Sequence, residues 1–284
     1  MKHTLKYRIK RLLDMPVHRL SGCTVAAACL SALLLAAGGC EGGEVAPPPA
    51  PVEVSLAVKG LSGSSEASLS YRLLVFDSHD ACVKNLSFVP GASSVPLDAG
   101  TYRFAALSVP EGLELPVAGT VEGMTPKSAV GFGTAPVREF RISPLAEVEV
   151  GEPSTVYTAS LVPATAVLSL NLSGLPADKT VTFKLSRMYT SVGLDGQTYS
   201  GETAYPLNPR GETVCFPCNG EVELTYTVDG DAPQTLRTGC VLEAGSRLSV
   251  HLAWSENVRV FVLLSSIVTD WAPGNGDGET GDAE

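Results

Sequence analysis

The chain has 284 residues, with 30 acids against 20 bases and a formal net charge of −10. Removing residues 1–39 takes away six Lys/Arg and one acid, Asp14, and leaves 14 bases against 29 acids, a formal −15. So acidic a surface argues against nucleic acid as a partner, since that affinity comes from Lys and Arg on phosphates, and against a polybasic grip on anionic lipid.

Residues 1–39 have the layout of a secretory signal peptide. Lys2, Lys6, Arg8, Lys10, Arg11 and Arg19 precede an apolar run that starts at Val25 and ends in the small residues Gly38 and Gly39. The run is shorter than the roughly 20 residues that a membrane-spanning helix needs, so the segment is expected to be removed. Met15, with Arg19 just before the apolar run, offers a second start that would give a signal of more ordinary length. A cysteine directly after small residues, Cys40, resembles the lipobox of bacterial lipoproteins. That resemblance implies that Cys40 is lipidated and becomes the first residue of the mature chain. The position three before it is Ala37 where Leu is usual, with Leu35 two residues further up. Each buried CH₂ contributes about 0.8 kcal/mol and a single acyl chain holds only marginally, so stable anchoring needs two or three.

Residues 40–51 read as a tether, flexible at Gly42-Gly43 and stiffened into extended polyproline geometry by Pro47-Pro48-Pro49 and Pro51. From Val52 the period is two: Val52, Val54, Leu56 and Val58 alternate with more polar residues, which predicts a half-buried strand. Ser68–Asp77 is apolar and rich in β-formers and reads as a central strand. Ala81–Val89 returns as another. Asp98-Ala99-Gly100 turns the chain into a strand with Tyr102, Phe104 and Ala106 on one face. Residues 110–136 hold many Gly and Pro, show no period, and read as loop; Val137–Ile142 reads as a further strand.

Pro144–Pro153 is the expected domain boundary. Strands are then predicted at 154–162, 165–172 and 180–185, and a polar, Gly-rich stretch with Tyr189, Tyr199 and Tyr205 fills 188–212. Further strands follow at 214–216, 222–228, 236–242 and 247–254, with turns at Asn219-Gly220, Asp229-Gly230-Asp231 and Ala244-Gly245. Val258–Val268 is the last apolar strand, and 274–284 is a Gly-rich acidic tail expected to be disordered. No helical period occurs beyond the signal. Short strands every 8–12 residues mean sandwiches. The fold class is therefore all-β, with two tandem antiparallel β-sandwich domains at 52–148 and 149–273.

Chemistry is sparse. The histidines of the mature chain are His79, in a polar turn, and His251, in a strand; no Gly-x-Ser-x-Gly elbow accompanies them, and no catalytic residue is assigned. Cys82, Cys215, Cys218 and Cys240 remain after the signal, and four thiols allow three disulfide connectivities. Cys215-Phe-Pro-Cys218 has redox spacing but no helix N-terminus to lower a thiol pKa, and zinc would need a fourth ligand near Cys215, Cys218 and Cys240. These cysteines read as a disulfide or as structural thiols, and no metal or cofactor is expected. Glu147/Glu149 and Glu221/Glu223 lie two apart and read as solvated strand faces. Asp195-Gly196 and Asp229-Gly230-Asp231 read as turns, since they lack full calcium-loop spacing.

Cys40, Tyr71-Arg-Leu-Leu-Val-Phe-Asp77, Leu97-Asp-Ala-Gly-Thr-Tyr-Arg-Phe104, Ala166-Val-Leu-Ser-Leu-Asn-Leu-Ser-Gly-Leu175 and the close Ile267-Val-Thr-Asp-Trp271 with Pro273-Gly274 come in an order that resembles the Bacteroidales FimB/Mfa-like fimbrial subunits. The resemblance implies two transthyretin-like, Greek-key sandwiches, an outer-membrane lipid anchor, and pilin partners joined by strand donation. Stalk pilins of that family are cut at an arginine near the start. Here no arginine precedes Arg72 in the mature chain, with Lys59 the nearest base, which fits an anchor or accessory subunit. Val258–Val268 is the segment expected to pair with other subunits. The rival class is a carbohydrate-binding outer-membrane lipoprotein of a glycan-uptake system. It would need exposed aromatic platforms, and Trp254 and Trp271 are the only tryptophans.

Overall fold

The computed structural model describes residues 50–59, 70–151, 154–209 and 211–271. Cys40, the signal segment, most of the tether and the acidic tail lie outside these residues. The described chain is all-β. Its first ten strands are β1 (Val52–Lys59), β2 (Ser70–Phe76), β3 (Cys82–Phe88), β4 (Ser94–Leu97), β5 (Gly100–Val109), β6 (Ala129–Gly131), β7 (Arg141–Ile142), β8 (Ala146–Val150), β9 (Val156–Ser160) and β10 (Val162–Pro163). The rest are β11 (Ala166–Ser173), β12 (Val181–Met188), β13 (Ser191–Gly193), β14 (Tyr199–Ser200), β15 (Thr203–Leu207), β16 (Glu212–Cys215), β17 (Cys218–Val228), β18 (Gln234–Val241), β19 (Ser246–Ser255) and β20 (Val260–Asp270).

In the first half a sheet of order β4-β1-β9 covers one face of a larger sheet, β10-β7-β5-β2-β3, to which β8 adds against β5. Val54, Leu56, Val95 and Tyr157 from the small sheet meet Leu73, Val75, Phe104 and Ala106 from the large one, and Phe104 and Tyr157 pack edge-on with centroids 4.8 Å apart. The period of two in β1 is the imprint of this packing, since Val54 and Leu56 are enclosed in the core and Val52 and Val58 pack against it half-buried.

β2 breaks that period for a physical reason. Leu73, Leu74, Val75 and Phe76 are all fully buried because the large sheet is covered on both faces. The second cover comes from the stretch between 110 and 140 together with parts of the second half. Leu74, Phe76, Ala105 and Leu107 pack there with Met124, Val130, Phe132 and Phe140, and with Val192, Leu194 and Phe216. A small sheet, β14-β13-β6, runs through this layer and pairs Ser191–Gly193 of the second half with Ala129–Gly131 of the first. Residues 110–136 and the first part of 188–212, to Ser200, read from sequence as loop and as a polar stretch, therefore form the joint between the halves.

The expected break at 148/149 falls inside β8, which pairs with β5. β9 then runs parallel to β1 and β10 pairs with β7, so the first half holds the chain to Pro163. From Ala166 the strands build two four-stranded sheets, β16-β11-β19-β20 and β15-β12-β17-β18. Leu168, Leu170, Leu248, Val250 and Leu252 of one meet Phe183, Leu185, Val222, Leu224 and Tyr226 of the other. Turns sit where Gly and Asx residues place them. Asp195, in the β13–β14 turn, accepts from the backbone N–H groups of Gln197 and Thr198 at 2.9 Å each, and Asp229 takes positive φ in the β17–β18 turn.

Candidate functional site: the exposed edge strand

β19 alternates inward Leu248, Val250, Leu252 and Trp254 with outward residues, and β20 pairs antiparallel along its whole length. Residues opposite the inward set continue the core only in part. Phe261, opposite Trp254, is buried, with ring centroids 5.3 Å from Trp254 and 5.1 Å from Tyr226. Its backbone N–H donates to the Tyr226 hydroxyl at 3.0 Å. The register shifts between His251 and Leu252, which leaves Leu264 in a bulge.

The outward set of β20 is apolar where a solvated strand would be polar. Val262 is 46%, Leu264 63% and Ile267 56% exposed, and Val258 before the strand is 63% exposed. No charged residue occurs from Val260 to Thr269. β20 is the outermost strand of its sheet. Natural edge strands are blunted by charges, Pro or shortness; this one has eleven residues and carries only the bulge. Near its far end Ser266 Oγ donates to the carbonyl of Thr238 at 2.6 Å, which ties β20 to β18 of the facing sheet. The strand is thus held firmly while no described residue covers its outer surface, an arrangement suited to adding a partner strand or face.

The other sequence-predicted positions do not gather into a site. Cys82, Cys215, Cys218 and Cys240 are free thiols. Burial pushes the Cys215 thiol far up, and it raises Cys218 as well. The Cys218 Sγ donates to the carbonyl of Gly220 at 2.7 Å and accepts from the N–H of Leu242 at 3.2 Å, and Cys240 packs its sulfur 3.4 Å from Ser266 Oγ. Among the described residues no cluster of three His, Cys, Asp or Glu could hold a metal. His79 and His251 are exposed on separate elements. Glu223 pairs with Arg237 at 3.0 Å and Glu221 accepts from the Gly239 N–H at 2.7 Å, both uses of a strand face.

Trp254 is 9% exposed and donates Nε1–H to Glu256 at 2.6 Å, so it is a core residue and offers no stacking platform. Tyr189 and Tyr199 pack on each other at 5.5 Å within the joint, and the Tyr205 hydroxyl donates to the Tyr189 carbonyl at 3.4 Å. Burial raises the Tyr199 and Tyr205 hydroxyls to about 12.

No family model and no curated protein matches the sequence. Solved structures do match. The fimbrial anchor protein Mfa2 from Porphyromonas gingivalis aligns over 78% of this chain and 98% of its own, with a TM-score of 0.54 and 14% identity. A candidate polysaccharide-binding protein of the DUF1812 group from Bacteroides thetaiotaomicron aligns over 80% and 100%, with a TM-score of 0.58 and 11% identity. A candidate adhesin from Bacteroides ovatus aligns over 78% and 93%, with a TM-score of 0.55 and 13% identity. The fold is that of the Bacteroidales fimbrial anchor and candidate adhesin proteins. None of these three is described as an enzyme. The likeness runs across nearly the full length of each neighbour, so it covers both sandwiches and the joint.

Proposed function

We propose that this chain is a cell-surface fimbrial anchor or accessory subunit of the FimB/Mfa-like group and has no enzymatic role. In this reading acyl chains on Cys40 hold it to the outer membrane, residues 41–51 lift it off the surface, and two sandwich domains carry the pilin-binding face. The observation that carries the reading is β20, a long, outward-apolar edge strand without a charge from Val260 to Thr269, in a fold shared with a fimbrial anchor protein. A pilin segment adds to that edge by strand pairing, with main-chain hydrogen bonds for affinity and the exposed Val262, Leu264 and Ile267 for side-chain contact.

The test is mass spectrometry of filaments gently detergent-extracted from the native cell. Co-purification at a low, fixed ratio to a major pilin, with acyl chains on Cys40, is the expected result. A chain that stays in the membrane fraction with no filament overturns the fimbrial reading. The double variant Val262→Lys and Ile267→Lys separates edge pairing from anchoring: it is expected to keep the protein in the membrane and lose the pilin.

A further inference from the structure

β17 leaves the ladder at its start. Between the pairs Met188↔Cys218 and Ser186↔Glu223, β12 holds one residue, Arg187, and β17 holds four, Asn219 to Val222. The first residue of β17 in register with β18 is Glu221. Asn219 and Gly220 thus have no register partner on either side, and the chain bows outward there as a bulge. Cys218 and Val222, at its two ends, are buried in the core, while Asn219 and Gly220 are exposed. Gly220 has a φ of 96°, and its carbonyl accepts from the Cys218 thiol at 2.7 Å, which pins the bulge in place.

Arg187, opposite the bulge, also takes a positive φ, 61°. A Cβ at position 220 would stand 3.7 Å from its Nη2 and 3.8 Å from its Cζ and Nη1, so the guanidinium lies face-on to the glycine. Among the described residues no carboxylate pairs with it. Glu221 accepts from the Gly239 N–H at 2.7 Å, and Glu223 pairs with Arg237 at 3.0 Å. Glu243 acts on Cys218 from a distance but makes no ion pair with Arg187. The side-chain amide of Asn219 takes no hydrogen bond among the described residues. A cation without a counter-ion therefore stands beside an Asn-Gly bond that the ladder does not hold.

We propose that Asn219 is a self-modification site, at which the backbone of Gly220 displaces the side-chain amide and a carboxylate takes its place. The Gly220 nitrogen attacks Cγ of Asn219. A bond from that nitrogen to Cγ forms, the Cγ–Nδ2 bond breaks, and Nδ2 leaves as ammonia with the proton of the Gly220 N–H. Water then opens the cyclic imide at one of its carbonyls, which gives aspartate or isoaspartate. The exchange is ammonia for water and needs no oxidant or cofactor. The glycine leaves its nitrogen unshielded by a side chain. That nitrogen gains negative charge as its proton departs, and a cation close by favours this form. The carboxylate formed then gives Arg187 the counter-ion it lacks. The other asparagines are placed differently. Asn85 donates Nδ2–H to two carbonyls, Asn171 sits in the ladder opposite His251, and Asn257 precedes the β-branched Val258. Asn208 precedes Pro209, which has no N–H to lose. Asn275-Gly276 lies outside the described residues. The site does not rest on the fimbrial reading, because it uses neither β20 nor the lipid.

The test is to age the purified protein near neutral pH and follow the conversion of Asn219 by mass spectrometry, with isoaspartate resolved by chromatography. A synthetic peptide of residues 214–224 reports the same bond without the fold and without Arg187. The folded chain is expected to convert Asn219 at least as fast as the peptide. Arg187→Gln should slow the folded chain about fivefold, the effect of a unit charge roughly 4 Å away in water, and Arg187→Lys should keep the rate. Salt at about 1 M, where screening reaches within about 3 Å, should slow the unaltered chain and leave the peptide unchanged, a control independent of how any variant folds. A folded rate below the peptide's overturns the proposal, as does a rate that neither Arg187→Gln nor salt changes.

Discussion

Phe216 shows how far the two halves stabilise each other. It follows β16 in the second half, is fully buried, and stands 6.1 Å from Phe132 of the first half and 6.4 Å from Tyr199, centroid to centroid. Phe216→Ala removes a buried ring whose transfer from water contributes about 2 kcal/mol. It also leaves a cavity of up to roughly 100 Å³, which at about 24 cal/mol per Å³ adds about 2 kcal/mol. The expected loss is therefore about 4 kcal/mol, inside the range of about 3–5 kcal/mol for buried Phe→Ala changes. With a urea slope of about 2.5 kcal/mol per M, the midpoint moves down by roughly 1.6 M. The assay is urea unfolding followed by far-ultraviolet dichroism and by the fluorescence of Trp254 and Trp271, which report on the second half. If the joint couples the halves, both signals shift together. A fluorescence transition left in place while the dichroism splits in two would refute the coupling.

Asn85 pins the 110–124 stretch. Its Nδ2 donates to the carbonyls of Val117 at 3.1 Å and Thr120 at 2.8 Å, and its Oδ1 accepts from Arg72 at 3.0 Å; Asn85→Ala should cost about 2 kcal/mol and open new protease cuts between 110 and 124. Burial raises the carboxyl of Asp195, but hydrogen bonds from the Thr198 hydroxyl and from the backbone of Gln197 and Thr198 outweigh it and hold the group below its ordinary 3.8. A depressed carboxylate stabilises fully above that ordinary value and loses the contribution as pH falls through the folded one, so exchange in β13 and β14 should accelerate in acid, and Asp195→Asn should abolish that dependence. Iodoacetamide at about pH 8, close to a free thiol's pKa, should modify half-buried Cys240 first and reach Cys215 only on unfolding; a Cys215–Cys218 disulfide in the native protein would contradict the structure.

Strands with one covered face were legible because their side chains alternate. β1 shows this in Val54 and Leu56, and β17 in Val222, Leu224, Tyr226 and Val228. β2 was legible for the opposite reason, as an unbroken apolar run between two covers. The joint was not legible. β6, β13 and β14 are two or three residues long, too short to show any period, and the partner of β6 lies some sixty residues away. The expected boundary at 148/149 failed to mark a break in pairing for a related reason. Pro144 and Pro153 flank β8, yet its backbone is held by β5, and pairing over that distance leaves no local signal. The Val258–Val268 expectation rested on an apolar run alone. What the run could not show is orientation: Phe261 turns inward, while Val262, Leu264 and Ile267 face out at the sheet edge.

The pairing of β1 bears on the anchor reading. Any load carried by residues 41–51 enters the fold at Val52, the first residue of β1. β1 is held along Val52–Ser55 by antiparallel β4 and along Ser55–Lys59 by β9, which runs parallel to it. The chain leaves this sheet at the C-terminal end of β9, on its way to the second half. Two parallel strands pulled from opposite ends slide along each other, so the hydrogen bonds between them are loaded together and not opened one by one. Burial adds to this, since Val54 and Leu56 are fully enclosed between the sheets and would have to be dragged out with the strand. A pull applied at Val52 would thus act at one of the places where strand geometry resists withdrawal best, and the joint at Phe132 and Phe216 would pass that load on to the sandwich that carries β20.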